Sequence, residues 1–155
     1  MRSRLGRLLL VAVVVCPAFL ASAPAATSAQ HHTERRTGPC SLSRGAEETF
    51  RQLSKRHIRC AVDEFGPVPG GVRRAICIAR RESDLIPTAR SATSQYLGLY
   101  QHAADYWPDR YDTWTEPGWG LPPSALRGRT NAIVTIRMVA EFGRWKLAGW
   151  PRHDC

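Results

Sequence analysis

Four cysteines, Cys40, Cys60, Cys77 and Cys155, follow an N-terminal stretch built like an export signal, and this combination constrains the fold more than any other feature of the chain. Arg2, Arg4 and Arg7 form a positive start, and Leu8 to Leu20 is apolar apart from Cys16 and Pro17. Small residues then run through Ala21-Ser22-Ala23 and Ala26-Thr27-Ser28-Ala29. That order is the pattern of a cleavable signal peptide over residues 1–29, too short for a comfortable membrane-spanning helix. Val13-Val14-Val15 lacks the small residue that normally precedes a lipid-anchored cysteine, which argues against acylation of Cys16. An even number of cysteines in an exported chain reads as two disulfides, with three connectivities to choose from. There is no C-x-x-C pair and the histidines are badly spaced for zinc, so no metal site is expected.

At 155 residues and 43% apolar content, the chain fits one globular domain behind the leader and excludes a collagen-like or fully disordered protein. The formal net charge is +9, carried by 20 Arg and only 2 Lys. A basic surface points to an anionic partner such as nucleic acid, a membrane surface or an acidic polymer. Export and disulfides weigh against nucleic acid, and no second apolar run of spanning length follows the leader, so no membrane association is expected after cleavage.

Residues 30–42 are polar and expected to be a flexible N-terminal segment in which His31-His32 is tail composition rather than a ligand pair. The domain is expected over 43–155. A helix is predicted from about Ser43, its cap, to His57, with Ala46, Phe50, Leu53 and His57 on one face. A second helical stretch carries Ile58, Ala61, Val62 and Phe65 and stops at Gly66-Pro67. A third runs from about Val72 to Glu82 with Val72, Ala75, Ile76 and Ala79 as its apolar stripe. Short strands are expected around Ser91–Leu99, irregular structure over 102–126, and a last helix from about Arg129-Thr130 to Trp145. Cys60 and Cys77 lie off the stripes of their helices, so a terminal segment carrying Cys40 or Cys155 could cover each. A Cys40–Cys60 bridge, however, would have to span a straight helix of about 15 residues, roughly 22 Å, which disulfide geometry forbids. These cues conflict, and the sequence leaves the connectivity open.

The chemistry concentrates between Ala75 and Gln101, AICIARRESDLIPTARSATSQYLGLYQ. Glu82 ends an amphipathic helix, where the helix dipole suits an acid that must donate a proton, while Arg80 and Arg81 favour a paired carboxylate. The residues after it add weight. Glu82-Ser83, then Pro87, Ala89 and Ser91, then Gly98-Leu99-x-Gln101, resembles the soluble lytic transglycosylase motif E-S-x-x-x-P-x-A-x-S followed by G-L-x-Q. The preceding Ile76-x-Ile78-Ala79-x-Arg81 resembles that family's catalytic helix. Gln101-His102, Tyr106-Trp107-Pro108 and Thr130-Asn131-x-Ile133-Val134 resemble a branch of small secreted bacterial proteins, so that the likeness covers roughly residues 58–150.

The resemblance implies an α+β, lysozyme-like fold, mostly helical, with a small β or irregular element after the catalytic helix. It implies action on peptidoglycan glycan strands by a cofactor-free monomer, exported to the cell wall or beyond. Position by position, Glu82 matches the acid/base, Ser91 a substrate-binding serine, and Gln101 the glutamine lining the cleft. Ser83 matches a structural hydrogen-bonder, Asn131 the asparagine of the late helix, and Gly98 a close backbone approach. The chain departs from the pattern in two places. Ser94-Gln95-Tyr96-Leu97 stands before Gly98 where many relatives have Gly-Ala-x, and Met138 stands where many carry a late-helix tyrosine. Tyr96, Tyr100 or Tyr111 is a candidate replacement, with Tyr96 and Tyr100 expected to touch substrate.

Ordinary glycosidases use two carboxyl groups, whereas lytic transglycosylases resemble a one-acid variant in which the sugar's own 6-hydroxyl attacks. Asp84, Asp105, Asp109, Asp112 and Glu116 are the candidates for a second acid, and none stands out. Independently, Tyr96, Tyr100, Tyr106, Trp107, Tyr111, Trp114 and Trp119 crowd one stretch. Such side chains suit sugar stacking, although about half are expected in the core. A hydrolytic muramidase and a non-catalytic wall-binding module are the competing expectations.

Overall fold

The computed structural model describes residues 38–150 and 155. The leader over 1–29, the His31-His32 pair and the segment up to residue 37 lie outside the described residues. Among those described, the chain is mostly helical with one two-stranded sheet: α1 (Phe50–Phe65), α2 (Gly71–Ser83), β1 (Tyr96–Leu97), β2 (His102–Ala103), a 3-10 turn (Ala104–Tyr106), α3 (Trp107–Trp114) and α4 (Gly128–Phe142). The α+β class, predominantly helical, is therefore as expected. No described helix is long and apolar enough to cross a membrane.

α4 is the hub. Thr130 through Ile136, Met138 and Val139 are all buried, so this helix is enclosed on every side rather than amphipathic. It packs mainly against α1 and also against α3. Gly143 in the left-handed conformation ends it, three residues short of the expected Trp145. α2 buries Ala75, Ile78, Ala79 and Ser83. Its core stripe is rotated from the one predicted, leaving Ile76 only partly covered.

The N-terminal region corrects the sequence reading. One continuous helix replaces the two predicted, and it begins at Phe50 rather than Ser43. Thr49 and Gln52 form a capping box: the Thr49 hydroxyl accepts from the Gln52 backbone amide at 3.2 Å, and the Gln52 side-chain Oε1 accepts from the Thr49 backbone amide at 2.7 Å. Upstream, Gly45 and Glu48 close a separate turn. The buried face of α1 is Ser54, His57, Ile58 and Ala61, while Phe50 is 62% exposed.

This shift of start removes the objection to Cys40–Cys60. Residues 41–49 are not helical and run back to the middle of α1, so the two cysteines are bridged with Cα atoms 5.6 Å apart. Cys77 is bridged to Cys155, Cα atoms 5.8 Å apart. Each cysteine that lay off its helix stripe is thus covered by a terminal segment, as the pattern suggested.

Candidate functional site

α2 ends where the candidate chemistry begins. Glu82 sits half-buried in its last turn, and the chain leaves through Asp84 (φ 53°) and Leu85 (φ 63°), two left-handed residues that are not glycine. Arg51 of α1 holds this turn by pairing with the Asp84 carboxylate and donating from Nε to the Asp84 carbonyl at 3.1 Å. Leu85 is anchored in the core. Ser83 fastens the helix end to the hairpin: its buried hydroxyl lies 2.7 Å from the Leu99 carbonyl and 3.1 Å from that of Ala79. The structural role expected of Ser83 is the one it has.

The hairpin is short because its register is set from outside. β1 and β2 pair Tyr96 with Ala103 and Leu97 with His102, and Arg90 adds a bridge to Leu97. Between the strands Gly98 adopts φ 79°. A Cβ there would run into the Ala125 carbonyl and the Asn131 amide, so only glycine fits the close approach that was expected. Asn131, fully buried in α4, donates to the Ala125 carbonyl at 2.8 Å and accepts from the Tyr100 amide at 3.0 Å. Gln101 (φ 50°) folds its amide back, donating to the Gly98 carbonyl at 2.8 Å.

Beneath the hairpin lies a buried polar relay. Arg110 can only donate, so its 2.9 Å contact makes His102 Nδ1 the acceptor. Nε2–H then donates to the Thr135 hydroxyl at 2.8 Å, which in turn donates to the Asn131 carbonyl at 2.8 Å. Burial, reinforced by the Arg110 charge, keeps His102 neutral by pushing its pKa well below the usual range.

Glu82, Tyr96, Gln101, Gly149 and Trp150 line one cavity of about 300 Å³. Three residues singled out in the sequence thus come together. Tyr96, 49% exposed, is the tyrosine placed beside Glu82, whereas Met138 is buried in α4. Two expectations fail. Tyr100 does not reach the cleft: it is fully buried, its hydroxyl donates to the Ala75 carbonyl at 3.0 Å, and its ring stacks on Trp145 with centroids 6.1 Å apart. Ser91 does not line the cavity either. Its hydroxyl accepts from the Tyr96 amide at 3.0 Å and its own amide donates to the Tyr96 carbonyl at 3.0 Å, so it shapes the loop that presents Tyr96.

Sequence reasoning missed Trp150. Its indole N–H donates to the Tyr100 carbonyl at 2.7 Å and its ring meets Tyr100, His102 and Trp145 edge-on. The available signal was the tryptophan five residues before a terminal cysteine. Of the aromatic stretch, Tyr100 and Trp107 are core, Tyr96 and Tyr106 are exposed, and Tyr111, Trp114 and Trp119 pack partly against the core.

Among the described residues, no second acid lines the Glu82 cavity. Asp84 pairs with Arg51, and Glu116 pairs with Arg137 at 3.4 Å. Asp112 and Glu116 face a different hollow beside Tyr111 and Leu121, and Asp105 and Asp109 are exposed on the 3-10 turn and α3. Among the described residues no cluster of His, Cys, Asp and Glu is arranged to hold a metal ion. Comparison with known protein families, curated proteins and solved structures returns no match.

Proposed function

We propose that this protein is an exported enzyme with a lysozyme-like fold that cleaves the β-1,4 bond between N-acetylmuramic acid and N-acetylglucosamine in peptidoglycan, acting as a lytic transglycosylase. The observation that carries the reading is the cavity in which Glu82 is the sole acid among the described residues, flanked by Tyr96 and Gln101 and walled by Trp150. Glu82 protonates the glycosidic oxygen as the bond to the anomeric carbon breaks. The muramic acid 6-hydroxyl then attacks that carbon, and the Glu82 carboxylate takes up the hydroxyl proton, returning to the acid form. No water enters and no second carboxylate is needed, because the nucleophile is already part of the bound sugar. Tyr96 offers an exposed aromatic face to a sugar ring, and the basic surface suits an anionic wall.

Mass spectrometry of fragments released from purified peptidoglycan tests this reading. The expected products carry 1,6-anhydromuramyl ends, lighter by one water than hydrolysed ends and inert to borohydride. Reducible ends on every fragment would make the protein a hydrolytic muramidase, and binding without any release would make it a wall-binding module; either result contradicts the proposal.

A further inference from the structure

A second cavity, of about 390 Å³, opens where the start of α4 meets α1, and it shares no lining residue with the cavity around Glu82. Leu42, Leu53, Pro122 and Leu126 give it an apolar wall, and Phe50 stands exposed at its rim. Two further lining residues are nearly inaccessible: Ser54 is 1% exposed and His57 6%. Among the described residues, the Ser54 hydroxyl and His57 Nε2 have no hydrogen-bond partner. A buried polar atom left this way costs stability unless something pairs with it. Nε2 therefore calls for a hydrogen-bonding partner.

The first turn of α4, Gly128, Arg129 and Thr130, preceded by Arg127, also lines the cavity. Arg127 is the N-cap and supplies no side-chain cap, so the helix begins with uncapped amides at the positive end of its dipole. Arg127 and Arg129 add positive charge, and among the described residues no acid lines the cavity. Its chemistry therefore calls for three things in one ligand: an anion for the helix start, a hydrogen-bonding group for Nε2, and a small apolar body.

We infer that this cavity binds the carboxylate end of an N-acylated apolar amino acid, the chemistry of a peptide C-terminus. The carboxylate meets the α4 amides and Arg127, the acylamide group pairs with His57 Nε2, and the side chain packs against the leucines. Two sources carry that end: an L-peptide C-terminus, or the D-alanyl end of a wall stem peptide, which alone rests on the function proposed above. The test is an amide chemical-shift titration of the ¹⁵N-labelled protein with N-acetyl-L-leucine, N-acetyl-D-alanyl-D-alanine and, as the uncharged control, N-acetyl-L-leucinamide. At least one acid should shift the Gly128, Arg129 and Thr130 amides saturably, and the tighter acid names the source. The leucinamide should bind about tenfold more weakly or worse, since a charged hydrogen bond is lost. Arg127→Gln, at an exposed position, should weaken the acid several-fold, while Glu82→Gln should leave its binding unchanged, which separates this site from the enzymatic reading. No saturable shift with either acid, or leucinamide binding as tightly as the acid, would overturn the inference.

Discussion

His57 shows how one side chain ties sequence, burial and pH together. It was read as one member of an apolar stripe and is instead a buried imidazole whose pKa is pushed down to about 4. Burial is the main cause, helped by the charges of Arg129 and Arg56 and opposed by Glu48 and the hydrogen bond to Leu42. In the unfolded chain the same group titrates near 6.5, so between the two values the unfolded state binds a proton that the folded state refuses. Its contribution is intact above the unfolded value and is lost as the pH falls from about 6.5 to about 4. His102, also buried and neutral, acts in the same direction. Replacing His57 by Gln should shrink the stability difference between pH 7 and pH 5 by about 2 kcal/mol. Urea unfolding at the two pH values checks this, and an unchanged difference would refute it. Residues with backbone roles were the most legible in the sequence. Ser83, Gly98 and Asn131 were expected to be structural, and each is, because a small hydroxyl, a missing Cβ and a short amide serve local geometry that spacing reports. Tyr100 was misread because its hydroxyl partner, the Ala75 carbonyl, lies 25 residues away, beyond the reach of local pattern.

Elements were read more accurately in their existence than in their ends. α2 and α4 were found nearly whole, since each carries a long periodic or continuous apolar run. The start of α1 was misplaced because Ser43 and Thr49 are both competent caps. Gly45 breaks the earlier candidate, and the Thr49–Gln52 box fixes the later one. Thr49→Ala should therefore cost about 1 kcal/mol, whereas Ser43→Ala should stay within about 0.5 kcal/mol of the parent protein. Thermal melts of the two variants measure it, and equal losses would place the cap elsewhere. The same misplacement produced the false objection to the Cys40–Cys60 bridge, since the length of a presumed helix had been set between two residues that a non-helical return segment brings together. The hairpin was anticipated only as a region, because two-residue strands held by Asn131 and Gln101 leave almost no alternation to detect.

At the scale of the whole molecule, the candidate site is assembled from distant parts of the chain. α2 provides Glu82, the hairpin provides Tyr96 and Gln101, and the C-terminal segment tied back by Cys77–Cys155 provides Trp150. That bridge closes a loop of 78 residues and Cys40–Cys60 one of 20. Chain-entropy estimates give about 4.5 and about 3 kcal/mol respectively. The Cys77→Ser/Cys155→Ser protein should thus melt lower than the Cys40→Ser/Cys60→Ser protein, and it alone should also loosen the wall of the Glu82 cavity. Calorimetry of the two, with Trp fluorescence as the local probe, decides the order; a lower melting point for the Cys40 and Cys60 pair would contradict it. The function proposed for the site turns on a single proton. Gln at position 82 keeps the shape of the side chain and cannot donate that proton, so the decisive measurement is the release of soluble glycan from purified peptidoglycan by Glu82→Gln beside the parent protein. A fall of about a hundredfold or more is predicted, with the circular dichroism spectrum unchanged, whereas release within a few-fold of the parent would show that Glu82 is not the acid.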